Sequence, residues 1–323
     1  DAVFDAIAAG DADGVWVMQG WMFYNNEGFW DKNAVKALLS QVPDDKMMII
    51  DLANESFAGW KKLDAFSGKP WIYSVINNYG GNSQFSGDLQ FLATDPAQML
   101  ASSKKGKITG FGISPEGIEN NEVVYELLTQ MAWTNKPLDI KTYIPVFSRQ
   151  RYGTADADLE NAWLLLLGSV YSKKTEHALN LYQARPPYSS KINVTDDQAF
   201  DQAVATFIKL AEKYKTNQLF KNDLVQLVIQ YTGNKTDIFL KRAIELHKLG
   251  EMSESKRTFG NAFELMVMMD GLATTLPDQK LERLIENARK YGTNKEESDY
   301  YEADVKRQLT QWGFASTPVL HEY

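Results

Sequence analysis

Polar and aromatic side chains stand where each of four predicted strands ends. They are Gln19 and Trp21, then Asp51, Asn54 and Glu55, then Asn78 and Tyr79, and finally Glu116. Because parallel sheets place ligand sites at the carboxyl ends of their strands, these side chains are candidates for one common site. Glu116 stands out because Ser114-Pro115-Glu116-Gly117 joins a glycine-rich strand directly to a helix. A solvated loop carboxylate is the alternative interpretation of Glu116.

The composition excludes several other kinds of site. The 323 residues include no cysteine, which excludes thiol nucleophiles and thiolate metal sites. The three histidines, His177, His247 and His321, lack metal-ligand spacing, and we expect no metal and no cofactor. A net charge of -8 and a pI near 5.1 argue against a nucleic-acid surface. No apolar run approaches the ~20 residues of a membrane span.

Near-continuous apolar runs predict the strands that would position these groups. The runs begin at Val15, Lys46, Trp71 and Ile108, and helical patterns follow them. These patterns include about Asp31 to Val42, around Phe57 to Leu63, and a helix that Asn120 or Asn121 can cap. Four strand-helix units in about 135 residues predict parallel strands covered by helices. Half of an eightfold (β/α)8 barrel, the TIM barrel, fits this pattern best. A doubly wound parallel sheet is the alternative fold.

Beyond Pro137 the strand signals vanish, and the rest of the chain is predicted to be all-helical. We therefore predict an α/β domain over residues 1–137 and an all-α domain over residues 138–323. Apolar residues recur at helical spacing in seven stretches. The stretches are 159–171, 197–214, 221–231, 237–249, 254–269, 279–291 and 295–312. His177 to Lys191, rich in Tyr and Pro, is predicted to be a loop.

The order and spacing of several motifs resemble the α-N-acetylglucosaminidases, family 89 of the glycoside hydrolases. The motifs are Val15-Trp16-Val17-Met18-Gln19-Gly20-Trp21, Asp51-Leu52-Ala53-Asn54-Glu55-Ser56, Asn78-Tyr79-Gly80-Gly81-Asn82, Pro115-Glu116-Gly117-Ile118, Asn121-Glu122-Val123-Val124-Tyr125 and Gln308-Leu309-Thr310-Gln311-Trp312-Gly313. The resemblance implies that residues 1–137 are the last four strands of a (β/α)8 catalytic barrel. It also implies that the N-terminal half of that barrel is missing here and that the helical domain is truncated at its C-terminus.

The resemblance further implies a retaining exo-hydrolase for terminal α-linked N-acetyl-D-glucosamine. Such an enzyme uses two carboxyl groups about 5 Å apart, one as nucleophile and one as general acid and base. Glu116 matches the position of the family's nucleophile. Its partner in the family would precede Asp1, so the chain alone is expected to be inactive. Glu55 belongs to a different strand and does not match the family's acid.

Carried over position by position, the resemblance assigns residues to the wall of a sugar pocket. They are Trp21, Leu52, Ile76, Tyr79, His177, Trp312, Leu320 and Tyr323. Tyr79 stands where the family often has Phe. The expected partner is a glycan with a terminal α-N-acetylglucosamine, and the family implies a secreted, periplasmic or lysosomal location.

Two alternatives to the enzyme remain open at this point. A non-catalytic carbohydrate-binding module would use the same half-pocket without the acid/base carboxylate. A structural half-barrel fragment would have no sugar site. A glutamate at a barrel strand's end upstream of Asp1 would favour the enzyme.

Overall fold

The computed structural model describes residues 2–26, 28–79, 84–116, 121–173, 182 and 196–310. The strands are β1 Trp16–Gln19, β2 Met47–Asp51, β3 Trp71–Val75, β4 Gly87–Asp88, β5 Ile108–Ile113 and β6 Ser172–Lys173. The helices of the first part are α1 Ala2–Gly10, α2 Met22–Asn25, α3 Lys32–Leu39, α4 Gly59–Lys62, the turn α5 Asp64–Ser67, α6 Leu89–Leu92, α7 Asp95–Ala101 and α8 Glu122–Met131. The second part contains α9 Ile140–Tyr152, α10 Ala157–Gly168, α11 Gln198–Leu210, α12 Gln218–Lys248, α13 Met252–Ala273, α14 Leu281–Arg289 and α15 Lys295–Thr310, and short 3-10 turns lie at Asp44–Lys46 and Pro277–Gln279.

Four of the strands form one parallel sheet in the order β1-β2-β3-β5. The register places Gln19 beside Ile50, Ile50 beside Ile72, and Ile72 beside Gly110. The predicted set of four parallel strands is therefore confirmed. Their spatial order follows their sequence order, as in a barrel, whereas a doubly wound sheet reverses order at a switch point. The topology thus favours the barrel interpretation over its alternative.

The two faces of this sheet differ in how well they are covered. On one face Ile49, Trp71 and Tyr73 are fully buried beneath the helices. On the other face Ile50 and Ile72 are only partly buried, and Val17 keeps 52% of its surface exposed. Alternate residues of a strand point to opposite faces, so Val17, Ile50 and Ile72 share one incompletely covered face of the sheet, here called the apolar face.

One hydrophobic core joins the sheet region to the helices that follow it. Phe85, from the sheet region, contacts the rings of Trp163 on α10 and Tyr171. Phe147 on α9 packs edge-on against Trp163, with ring centroids 4.9 Å apart. All four rings belong to the same buried cluster as the strands. The region after Pro137 therefore packs directly on the sheet region.

Three features of the second part differ from the prediction. The stretches 221–231 and 237–249 form one 31-residue helix, α12, because Thr232, Gly233 and Thr236 are buried against neighbours that stabilise a continuous helix. Helix α9 was not predicted, since Pro145 lies inside it. The prediction that no strand occurs beyond Pro137 is also wrong, because β6 pairs antiparallel with β4.

The predicted helix around Phe57 to Leu63 is shorter than expected. Only Gly59–Lys62 forms a right-handed turn, and the four residues of α5 have φ between 46° and 56°, which is left-handed. Among the described residues, no helix is long and apolar enough to cross a membrane.

Candidate functional site

Glu116 lies just beyond the carboxyl end of β5, and its side chain is exposed. Its backbone N–H donates to Oδ1 of Asn78 over 3.1 Å. Two residues earlier, the Ser114 N–H donates to the Val75 carbonyl over 2.9 Å, and the Ser74 and Ser114 hydroxyls lie 2.8 Å apart. The end of β5 is therefore fixed to the end of β3, while the Glu116 carboxylate is accessible to solvent.

Glu55 occupies the neighbouring loop, after β2, in a very different environment. Its Oε1 accepts hydrogen bonds from the backbone N–H groups of Ile76 and Asn77, at 3.0 and 2.9 Å, and from the Tyr79 hydroxyl at 2.9 Å. Its Oε2 is buried. Burial raises the pKa of Glu55, although the hydrogen bonds from Asn77, Tyr79 and Ile76 oppose that rise. A carboxylate enclosed in this way is an acceptor for the loop after β3.

Three of the residues predicted to line the pocket come together in the structure. Leu52, Ile76 and Tyr79 form one small buried cluster with Ala53. Each of the three is less than 10% exposed, so most of their surface contacts protein. The Tyr79 hydroxyl lies 2.9 Å from both Glu55 Oε1 and Ser56 Oγ. The cluster links the loops after β2 and β3 at the same end of the sheet as Glu116.

Trp21, a further predicted wall residue, lies after β1 and keeps 39% of its surface exposed. Its ring meets the rings of Tyr24 and Phe57 edge-on, with centroids 6.4 and 6.3 Å apart. Phe57 in turn packs against the cluster of Leu52, Ile76 and Tyr79. The structure thus connects Trp21 to the other described wall residues through Phe57.

The sequence suggested that Asp51 faces the mouth of the strands, but in the structure it does not. Its side chain is fully buried, and it accepts hydrogen bonds from the Tyr24 hydroxyl and from the N–H groups of Gly59 and Trp60, the last at 3.0 Å. Burial raises the pKa of Asp51 to about 6, against the opposing effect of those three donors. Asp51 therefore fastens the end of β2 to α2 and the start of α4.

Two asparagines near the site have roles that the sequence did not reveal. Asn54 Nδ2 donates to the carbonyls of Asp51 and Ser74, at 2.7 and 3.0 Å, which ties β2 to β3. Asn121 precedes α8 with a left-handed φ of 55°, and its side chain does not cap the helix, although Asn120 or Asn121 was predicted to do so. It instead donates to the Gln84 carbonyl and accepts from Ser86 N–H and the Tyr171 hydroxyl.

Four predicted wall residues fall outside the described part of the chain: His177, Trp312, Leu320 and Tyr323. Gly117, Ile118 and the glycines of the loop after Tyr79 also lie outside it. The predicted place of these four residues in the pocket wall therefore stays a prediction. Within the described residues, no group of three or more His, Asp or Glu side chains could hold a metal ion.

Comparison with known proteins gives matches along almost the whole chain. Residues 1–135 match the family model described as the α-N-acetylglucosaminidase (NAGLU) tim-barrel domain. Residues 143–323 match the model of the α-N-acetylglucosaminidase (NAGLU) C-terminal domain. The human α-N-acetylglucosaminidase is 30% identical over 321 residues, which are 97% of this chain and 43% of the human protein.

Two solved structures of a family 89 glycoside hydrolase from Clostridium perfringens are also similar. One is a complex with 2-acetamido-1,2-dideoxynojirmycin; it is 26% identical, with a TM-score of 0.86 over 98% of this chain and 36% of that protein. The other is a complex with PUGNAc; it is 25% identical, with a TM-score of 0.87 over 99% of this chain and 37% of that protein. The chain thus spans less than half the length of each of these relatives.

Proposed function

Because the chain belongs to the α-N-acetylglucosaminidases of glycoside hydrolase family 89, we propose that it carries part of the active site of an exo-glycosidase. The proposed reaction removes a terminal α-linked N-acetyl-D-glucosamine from a glycan with retention of the anomeric configuration. The human relative is named as an α-N-acetylglucosaminidase, and the Clostridium relative binds an iminosugar with a 2-acetamido group. The substrate class rests on these two proteins.

Glu116 is the proposed nucleophile. In the first step its carboxylate oxygen bonds to C1 of the sugar while the bond from C1 to the leaving oxygen breaks, and a second carboxyl group protonates that oxygen. In the second step the same second group deprotonates a water molecule, which attacks C1 and releases Glu116. The sugar and a shortened glycan are the products, and both carboxyl groups regain their starting states.

The difference in exposure between the carboxylates carries this proposal. Asp51 is fully buried, and Glu55 has a buried Oε2 and an Oε1 occupied by three donors. Glu116 alone among these three is exposed, while its backbone is held by Asn78. A nucleophile must reach the substrate and also be held in place, and Glu116 meets both requirements.

We place the second carboxyl group outside this chain, on the half of the barrel that would cover the apolar face of the sheet. The interior of a barrel is filled by side chains from all of its strands. Val17, Ile50 and Ile72 present such side chains on the incompletely covered face. In the proposed enzyme, Trp21, Leu52, Ile76 and Tyr79 form one wall of the sugar pocket, and His177, Trp312, Leu320 and Tyr323 form the wall contributed by the second part.

The test is the Glu116→Gln variant of the whole enzyme, assayed with an aryl α-N-acetylglucosaminide. Loss of the nucleophile should lower kcat by about 1,000-fold or more and change KM little, because the amide keeps the shape of the side chain but not its charge. Glu126→Gln on α8 is the matched control: Glu126 is exposed, and a Gln can still accept from the Tyr143 hydroxyl.

Each outcome separates the proposed enzyme from its alternatives. Turnover near wild type in Glu116→Gln would make Glu116 a structural residue. A native whole protein that binds the sugar without hydrolysing the aryl glycoside would favour the carbohydrate-binding module.

A further inference from the structure

Glu55 lies in the loop after β2 with its Oε2 buried, and the proposed reaction does not use it. Three donors converge on its Oε1: the N–H groups of Ile76 and Asn77 and the hydroxyl of Tyr79. All three belong to the loop that follows β3. The donors lie between residues 76 and 79, so one carboxylate oxygen organises four successive residues of this loop.

The backbone of the same loop adopts an unusual conformation at Asn77. Its φ is 62°, in the left-handed region that residues other than glycine rarely adopt. Such a conformation persists only where surrounding contacts hold it. The bond from Asn77 N–H to Glu55, at 2.9 Å, and the bond from Asn77 Nδ2 to the Ser86 carbonyl, at 3.3 Å, supply contacts on two sides of that residue.

The loop reaches Glu116 through its next residue, Asn78. Asn78 Oδ1 accepts the Glu116 N–H over 3.1 Å, and Asn78 is almost completely buried. Its own N–H donates to the Ile76 carbonyl over 2.8 Å. A continuous series of hydrogen bonds therefore leads from Glu55, through residues 76 to 78, to the backbone of Glu116.

We propose that Glu55 is a positioning residue, which fixes the Asn77–Asn78 turn and thereby sets where the Glu116 carboxylate lies against the substrate. This inference rests on the proposed function, in which Glu116 is the nucleophile. A glutamine at position 55 would be a weaker acceptor for the three donors. Its amide N–H groups would also occupy the buried place of Oε2, which has no hydrogen-bond partner among the described residues.

The experiment compares Glu55→Gln, Asn78→Ala and the double variant in the whole enzyme, with an aryl α-N-acetylglucosaminide as substrate. Since small misplacements of a reacting group can cost up to ~100-fold in rate, each single variant should lower kcat by roughly 10- to 100-fold. KM should change by less than about threefold, because the wall contacts remain. The kcat of the double variant should be only slightly below that of the less active single variant, because both changes interrupt one series of hydrogen bonds.

Asp51→Asn is the matched control for a purely structural effect. Asp51 is another buried carboxylate, at the end of β2, but it faces the helices. This variant should have a lower thermal stability, while its folded fraction keeps the kcat of the wild type.

A kcat in Glu55→Gln within about twofold of wild type would overturn the proposal. Losses of kcat that multiply in the double variant would overturn it too. If Glu55→Gln fails to fold, Asn78→Ala still tests the proposal. A wild-type kcat in Asn78→Ala would overturn it, because the hydrogen bond between Asn78 and Glu116 would then have no part in placing the nucleophile.

Chemical rescue distinguishes failure of this proposal from failure of the proposed function. In Glu116→Ala, azide should occupy the vacated space, displace the aryl leaving group from C1 and form a glycosyl azide. In Glu55→Ala, azide should restore nothing. Rescue of Glu55→Ala instead would identify Glu55 as the reacting carboxylate and overturn its positioning role. A fully active Glu116→Ala would instead remove the nucleophile assignment on which the inference rests.

Discussion

At the scale of single residues, three carboxylates in adjoining loops have three different environments. Asp51 points into the helical layer, Glu55 is enclosed by the loop after β3, and Glu116 is exposed. The sequence placed all three at strand ends but gave no sign of their directions. In β2, Met47 and Ile49 lie on the same face as Asp51, and Met48 and Ile50 lie on the other face. Because both faces are apolar before Asp51, the sequence of the strand does not show which face is covered by helices, and only the pairing with β1 and β3 does.

Asp51 gives a pH-dependent prediction about stability. Its pKa is about 6 in the folded protein, above the ordinary value of 3.8. Between these values the folded protein holds a proton that the unfolded chain has released, so stability falls as pH rises through this window. Two pKa units correspond to roughly 3 kcal/mol. The asparagine in Asp51→Asn cannot titrate. Its amide N–H groups would face one of the three donors and could not accept a hydrogen bond from it.

The variant should therefore be less stable than wild type at every pH, and the gap should be largest near pH 4 and smaller at pH 7. Urea unfolding of both proteins at pH 4, 5, 6 and 7 measures the gap. A gap that widens towards pH 7 would mean that the Asp51 pKa is lowered by its donors rather than raised by burial.

At the scale of elements, a buried ion pair joins the helices that support the site. Arg151 on α9 makes two hydrogen bonds of 2.6 Å to the carboxylate of Asp223 on α12, and a third of 3.1 Å to Glu122 at the start of α8. Burial alone would lower the pKa of Arg151, but the Asp223 carboxylate outweighs it and the pKa is raised. Tyr152 also donates to Asp223. The pair fixes α8, which directly follows the loop of Glu116.

Asp223→Asn should destabilise the fold by about 3–5 kcal/mol, because it leaves the buried guanidinium of Arg151 with only the exposed Glu122 as a counter-charge. Glu122→Gln is the control. The Glu122 side chain is 53% exposed, so its loss should cost less than about 1 kcal/mol. Urea denaturation midpoints of the two variants measure the difference. Equal costs would show that Asp223 contributes no more than a surface partner.

The elements that the sequence predicted well are those with strong local signals. The four strands were found from apolar runs, and α3 begins beside Asp31, whose side chain accepts from Ala34 N–H as a helix cap. Signals that depend on distant contacts were not readable. Thr232 and Gly233 suggest a helix break, yet both are buried within α12. The short pairing of β4 with β6 joins residues 87–88 to residues 172–173, which lie far apart in the sequence.

Of the candidate site, the sequence supplied the carboxylates and the cluster of Leu52, Ile76 and Tyr79. It did not supply the hydrogen bonds between loops. Asn54, Asn78 and Asn121 each join chain segments far apart in sequence, and no local pattern reports such contacts. The amide side chain suits this task because it can donate and accept at once.

At the scale of the whole molecule, the apolar face of the sheet and the two edges of the sheet should govern behaviour. Among the described residues β1 pairs only with β2, and β5 pairs only with β3. Unpaired edges and exposed apolar faces promote association between chains. The 323-residue chain expressed alone should therefore self-associate and bind an apolar dye, whereas a whole family 89 enzyme should not.

Light scattering coupled to gel filtration measures the first property, and dye fluorescence measures the second. A monomer that unfolds cooperatively and binds no dye would contradict the proposal that another half of a barrel covers this face.

The identity of the nucleophile is the central claim, and covalent trapping tests it most directly. A 5-fluoro α-N-acetylglucosaminyl fluoride should react with the whole enzyme and accumulate as an ester. The ring fluorine slows both formation and breakdown of the sugar ester, whereas the good leaving group speeds only its formation. Mass spectrometry of the digested protein should then find the added sugar on the peptide that contains Glu116. Labelling of any other carboxylate, or steady hydrolysis without a covalent ester, would contradict the claim.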